Sequence, residues 1–150
     1  MARDVTIATE ISRPAIEVFN FLADGENMPR WMDQIDSVVQ TSSGGAAKGT
    51  SYKYKMRRGP ESTFEWCEFE PNRRLAWTGP PIEGTVGSIA TDGSYTLEER
   101  DGTTQVTVSF RPEMSGMKKL IRPMMRRSLR RVFVADFARL RDILEKRSRA

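Results

Sequence analysis

Residues 35–112 alternate apolar and polar side chains in short runs separated by brief turns, and this limits the fold more than any other feature of the chain. Gly59-Pro60, Pro71-Asn72 and Asp101-Gly102 are too short to hold a crossover helix, so neighbouring strands must run antiparallel. Within residues 49–58, Tyr52, Tyr54 and Met56 share one face against Ser51, Lys53, Lys55 and Arg57. Within residues 103–112, Val106, Val108 and Phe110 alternate with Thr107, Ser109 and Arg111. Residues 61–70 set Phe64 and Trp66 on one parity while Cys67 and Phe69 break it, which predicts a bulge or a stretch buried on both faces. Residues 35–41, 73–78 and 88–100 read as the remaining strands, with Gly79-Pro80-Pro81 and Glu83-Gly84 as a loop.

What precedes and follows this run is different in kind. Residues 3–11 form a half-buried strand through Val5, Ile7 and Ile11. Ser12 is placed to cap a short helix that starts near Pro14, carries Ile16, Phe19, Phe21 and Leu22, and stops at Asp24-Gly25. Residues 26–32 predict a second short helix or turn. At the other end Met117, Leu120, Ile121, Met124, Met125, Leu129, Val132, Phe133, Phe137, Leu140 and Leu144 recur every three or four residues, the period of one long amphipathic helix. Pro123 inside that pattern either kinks the helix or marks its start. No repeat or linker divides the chain, so residues 1–150 are expected to form a single domain.

Composition removes whole classes of chemistry. The 150 residues include no His, which excludes a Ser-His-Asp or Cys-His pair and a His-ligated metal. One cysteine, Cys67, allows neither an internal disulfide nor a thiolate cluster, and no metal or other cofactor is expected. Gly44-Gly45 and residues 84–87 lack both phosphate-loop and dinucleotide fingerprints. No apolar run has the length of a signal peptide core or a membrane span, and the cytoplasm is the expected compartment. Between Lys118 and Arg149 twelve basic residues face three acids, a balance of +9 that leaves −5 for the rest of a chain of net charge +4. The arginine pairs Arg126-Arg127 and Arg130-Arg131 make either a solvated helix face or a weak contact with an anionic membrane surface. No nucleic-acid recognition motif accompanies the charge.

This order of elements resembles the START-like (SRPBCC) superfamily, which includes polyketide cyclase/dehydrase and lipid-transport proteins and the Bet v 1-like proteins. Residues 11–19 (ISRPAIEVF) look like the family's strand-to-helix entry, Asn27-Met28-Pro29-Arg30-Trp31 its second helix, and residues 68–77 (EFEPNRRLAW) its central hairpin. The resemblance implies an α+β helix-grip fold. In that fold a seven-stranded curved antiparallel sheet wraps around a long C-terminal helix, with two short helices after strand 1.

Such a sheet is broader than one helix about 10 Å wide can cover, which predicts a cavity between the two. Tyr52, Tyr54, Met56, Phe64, Trp66, Trp77, Tyr95 and Phe110 on strands would line it, with Trp31, Met117, Ile121, Met124 and Met125 on helices. Rigid aromatic walls and adaptable thioethers suit a small hydrophobic or aromatic ligand, although the same residues would also fill a solid core. Three functions remain open on this ground. They are binding or transport of such a ligand, a polyketide cyclase/dehydratase activity in the same cavity without His or metal, and a protein-interaction role like that of co-chaperones. Glu65 and Glu68 lie on a strand of ambiguous parity, so one of them could point inward or both could be solvent-facing sheet charges, and no set of residues rises to a catalytic motif.

Overall fold

The computed structural model describes residues 5–84, 87–89, 92–110, 114–115 and 121–146. Strand β1 (Val5–Ile11) leads into helix α1 (Ala15–Ala23), a single 3-10 turn (Gly25–Asn27) and helix α2 (Met28–Trp31). Strands β2 (Ile35–Gln40), β3 (Ser51–Met56), β4 (Glu61–Glu70), β5 (Arg74–Thr78), β6 (Ile82–Gly84), β7 (Gly87–Ile89), β8 (Gly93–Arg100), β9 (Thr103–Phe110) and β10 (Met114–Ser115) follow. Helix α3 (Ile121–Lys146) closes the series.

Seven strands form one antiparallel sheet in the order β1-β9-β8-β5-β4-β3-β2, and α3 packs along β1. Strict alternation carries β1 and β9 into this sheet: Val5, Ile7 and Ile11 face inward opposite Phe110, Val108 and Thr104. The β8–β9 hairpin turns on two residues, Asp101 and Gly102, both with positive φ (53° and 78°), the conformation whose twist matches the flanking strands. In β4 the register against β5 slips between Trp66 and Glu68. The extra residue is Cys67, and the slip returns Phe69 to the inner face, where its ring meets Phe19 of α1 edge-on at 5.2 Å. Glu65 and Glu68 point to solvent, and Glu68 pairs with Arg74.

Three local expectations are corrected. Ser12 does not cap α1. Pro14 holds the cap position without a side-chain acceptor, and the Glu99 carboxylate of β8 takes the Ala15 N–H at 2.6 Å, placing an anion at the helix's positive end. Residues 88–100 are not one strand, and Glu83-Gly84 is not loop. β6, β7 and β10 make a separate three-stranded sheet, and β8 starts afresh at Gly93. The break is fixed by Asp92, whose carboxylate accepts from the Thr78 hydroxyl (2.9 Å) and the Gly79 N–H (3.3 Å), and by Gly93, which lies flat beneath the Trp77 indole. Pro123 lies two residues after the first described residue of α3, and the helix continues through it to Lys146.

The end of α1 is held by two aromatic donors. The Ala23 carbonyl accepts from the Tyr52 hydroxyl (3.2 Å) and the Trp66 indole N–H (3.0 Å), which satisfies a helix-terminal carbonyl inside the core. Gly25 follows so closely that a Cβ there would lie 2.8 Å from the Tyr52 ring. Gly25→Ala is therefore expected to destabilise the protein by about 1–3 kcal/mol through overpacking. A denaturant midpoint unchanged from wild type would show that the ring can retreat.

Candidate functional site

The sequence-predicted wall residues separate into three groups. Tyr52, Tyr54, Phe64 and Trp66 form a continuous ring cluster, with Tyr52 and Phe64 stacked at 4.9 Å and Phe64 edge-on to Trp66 at 5.4 Å. Their polar tips are engaged. Tyr52 and Trp66 serve Ala23, and the Tyr54 hydroxyl meets Ser62. This cluster secures α1 to the sheet.

The second group faces α3. Tyr95 of β8 contacts Trp77 of β5 at 4.9 Å and Trp31 of α2 at 6.2 Å, and Phe137 of α3 closes over them, 6.1 Å from Trp31 and 6.5 Å from Tyr95. The third group is Phe110 of β9 against Phe133 of α3, at 4.8 Å. Met56 is partly buried at the margin of the core, and Met125 is half-buried on α3. Met124 is 69% exposed and belongs to the outer face of α3, one position off the inward seam, which takes it out of the wall. Met117 lies outside the described residues, and of Ile121 only the helical backbone is described.

Helix α3 is packed unequally along its length. Its second half places Phe137, Leu140 and Leu144 at 1%, 0% and 3% exposure, while Met125, Leu129 and Phe133 on the first half continue the same seam only half-buried. Two surface concavities adjoin the wall. One of about 350 Å³ lies between β1 and α3 and touches Phe137, and one of about 310 Å³ lies beside Gly79 and touches Phe64.

One polar pair sits within this apolar setting. Asp136, 4% exposed, accepts from the Asp33 N–H at 3.2 Å and from Arg139 at 3.2 Å, and the same Arg139 nitrogen donates to the Trp31 carbonyl at 2.9 Å. These bonds fix the middle of α3 to the end of α2, the element that positions Trp31. Burial pushes the Asp136 carboxyl above its ordinary value, against the opposing pull of the Asp33 N–H and Arg139. Burial, with the Asp136 charge adding to it, also raises the Tyr95 phenol far above 10.0, so its hydroxyl remains a neutral hydrogen-bond donor. No bond from that hydroxyl is found among the described residues. Burial likewise raises the Cys67 thiol, with Glu68, Asp92 and Glu65 adding to it, so Cys67 is not an activated nucleophile.

Sequence reasoning weighs Asp136 only as charge, although a sharper signal is present. It interrupts the spacing Leu129, Phe133, Asp136, Leu140, which puts a carboxylate on the apolar stripe of an amphipathic helix. The stability consequence has a definite sign. With its folded pKa raised, the folded state binds the Asp136 proton more tightly than the unfolded state. Ionised Asp136 therefore lowers stability progressively as pH rises above about 3.8 through the raised value. Asp136→Asn, which keeps an acceptor for the Asp33 N–H, is expected to lose less stability than wild type over that interval in denaturation measured at a series of pH values. A variant that loses more would mean that Arg139 outweighs burial.

Comparison with known proteins gives a consistent picture. The family model described as polyketide cyclase/dehydrase and lipid transport matches residues 2–145. An uncharacterized protein of Mycobacterium tuberculosis is 28% identical over 131 residues, covering 84% of this chain and 77% of its own. The aromatase/cyclase Zhui from Streptomyces sp. R1128 superposes with a TM-score of 0.78 at 18% identity, covering 100% of this chain and 98% of its own. A conserved protein of Geobacillus kaustophilus gives 0.78 at 16% identity over 96% of both chains. The di-domain aromatase/cyclase BexL of the BE-7585A pathway gives 0.74 at 16% identity, covering 93% of this chain and 45% of the larger protein. At these identities the structural likeness establishes the helix-grip fold.

Proposed function

The chain belongs to the polyketide cyclase/dehydrase and lipid-transport family, and from that premise we propose that it binds a small hydrophobic or aromatic molecule between the sheet and α3. Its role in this reading is binding or transport, and the ligand is of lipid or polyketide type. The observation that carries it is the unequal packing of α3. Phe137, Leu140 and Leu144 in the second half are buried against the sheet, while Met125, Leu129 and Phe133 keep an apolar seam half-open, with Phe133 against Phe110. Flat rings and a flexible thioether accept an apolar guest with little reorganisation. The Tyr95 hydroxyl offers it one hydrogen bond.

The second reading is a cyclase/dehydratase-type enzyme in the same place. Tyr95 and Asp136 favour it: a neutral phenol can hydrogen-bond the oxygen of a bound carbonyl compound, and a buried carboxyl of raised pKa can exchange a proton with it. Thermal unfolding with anthraquinones and long-chain fatty acids separates the outcomes. A ligand should stabilise by RT ln(1 + [L]/Kd), about 2.7 kcal/mol at a hundredfold excess over Kd. A carrier returns the compound unchanged. An enzyme converts a reactive poly-ketone, and Tyr95→Phe or Asp136→Asn would then abolish conversion while preserving stabilisation by product. Absence of stabilisation by either class overturns both readings.

A further inference from the structure

The solvent face of α3 carries a pattern that the interior ligand does not explain. Residues 121–135 contain five arginines and no acid. Arg130 has a structural role, donating to the Thr6 carbonyl at 3.2 Å and so holding α3 on β1. Arg127 and Arg131 do not share it. Both are exposed, and neither forms an ion pair among the described residues. At helical spacing they line up with Met124 and Val134, which are 69% and 52% exposed. The result is a stripe reading Met124, Arg127, Arg131, Val134 along the exposed side of α3, with Val134 at its edge, bordering the concavity that Phe137 also lines.

We propose that this stripe docks the protein on an anionic lipid surface, the arginines meeting head-group phosphates and Met124 and Val134 entering the interface beside them. Exposed apolar side chains bracketing the arginines favour a bilayer over nucleic acid, whose phosphate backbone offers no apolar layer to receive them. No helix among the described residues is long and apolar enough to cross a membrane, so the contact is with the surface. The inference does not depend on what α3 covers on its inner side.

Sedimentation of the full chain with vesicles tests it. Vesicles of phosphatidylcholine with one third phosphatidylglycerol should carry the protein down, phosphatidylcholine alone should not, and added salt should release it. The double variant Arg127→Gln, Arg131→Gln should bind about 25-fold more weakly, taking roughly five-fold per arginine. Met124→Gln should also weaken binding, and should leave the salt dependence unchanged. Thermal unfolding of the variants should match wild type, because all three side chains are exposed. Binding to neutral and anionic vesicles alike, no binding to either, or a double variant that binds like wild type would overturn the proposal. So would affinity for duplex DNA, unaffected by Met124→Gln, in a protein that ignores vesicles.

Discussion

Phe137→Ala is expected to lower the unfolding free energy by about 3–5 kcal/mol, read from chemical denaturation. The ring is 1% exposed and is enclosed by Trp31 and Tyr95, so its removal leaves a void where α2, β8 and α3 meet. Phe133, one turn earlier on the same seam, is only half-buried and has Phe110 as its ring partner. Phe133→Ala should therefore cost distinctly less. The comparison bears on function, because equal losses at the two positions would mean that α3 is sealed along its whole length.

The second large effect is expected at Trp66, where replacement by Ala should also cost about 3–5 kcal/mol. Its indole is 2% exposed, lies against Tyr52 and Phe64, and supplies one of the two donors to the Ala23 carbonyl. Tyr52→Phe, by contrast, removes only the other donor and leaves the ring in place, so about 1 kcal/mol is expected. If Tyr52→Phe proved as damaging as Trp66→Ala, the shared carbonyl rather than packing would be what holds α1.

Features set by neighbours in sequence are legible in the chain, and features set by distant contacts are not. Alternation and two-residue turns announce the antiparallel sheet, and Asp101-Gly102 folds as its composition dictates. The parity break at Cys67 and Phe69 correctly signals a bulge, because one inserted residue reverses every later side chain. The cap of α1 is unreadable, since its acceptor comes from Glu99, 84 residues away. The strand break before Gly93 depends on Asp92 reaching across to Thr78 and Gly79, which no local pattern encodes. Periodicity groups the aromatic residues, but it cannot say that Tyr52 and Trp66 turn towards Ala23 while Trp77 and Tyr95 turn towards α3. The expected wall takes only the first half of the long helix, where Pro123 is expected to disturb packing, and so passes over Phe133 and Phe137, which lie on the same periodic stripe and close the wall.

The direct test of an apolar guest beneath α3 is a methyl-resolved NMR titration of the protein with a tricyclic anthraquinone. Saturable shifts are predicted at the Met125 and Leu129 methyls on the half-buried seam, with the Val18 methyls, enclosed at 0% exposure, left in place. Shifts confined to Met124 and Val134 on the outer face, or none at any excess of ligand, would contradict the account.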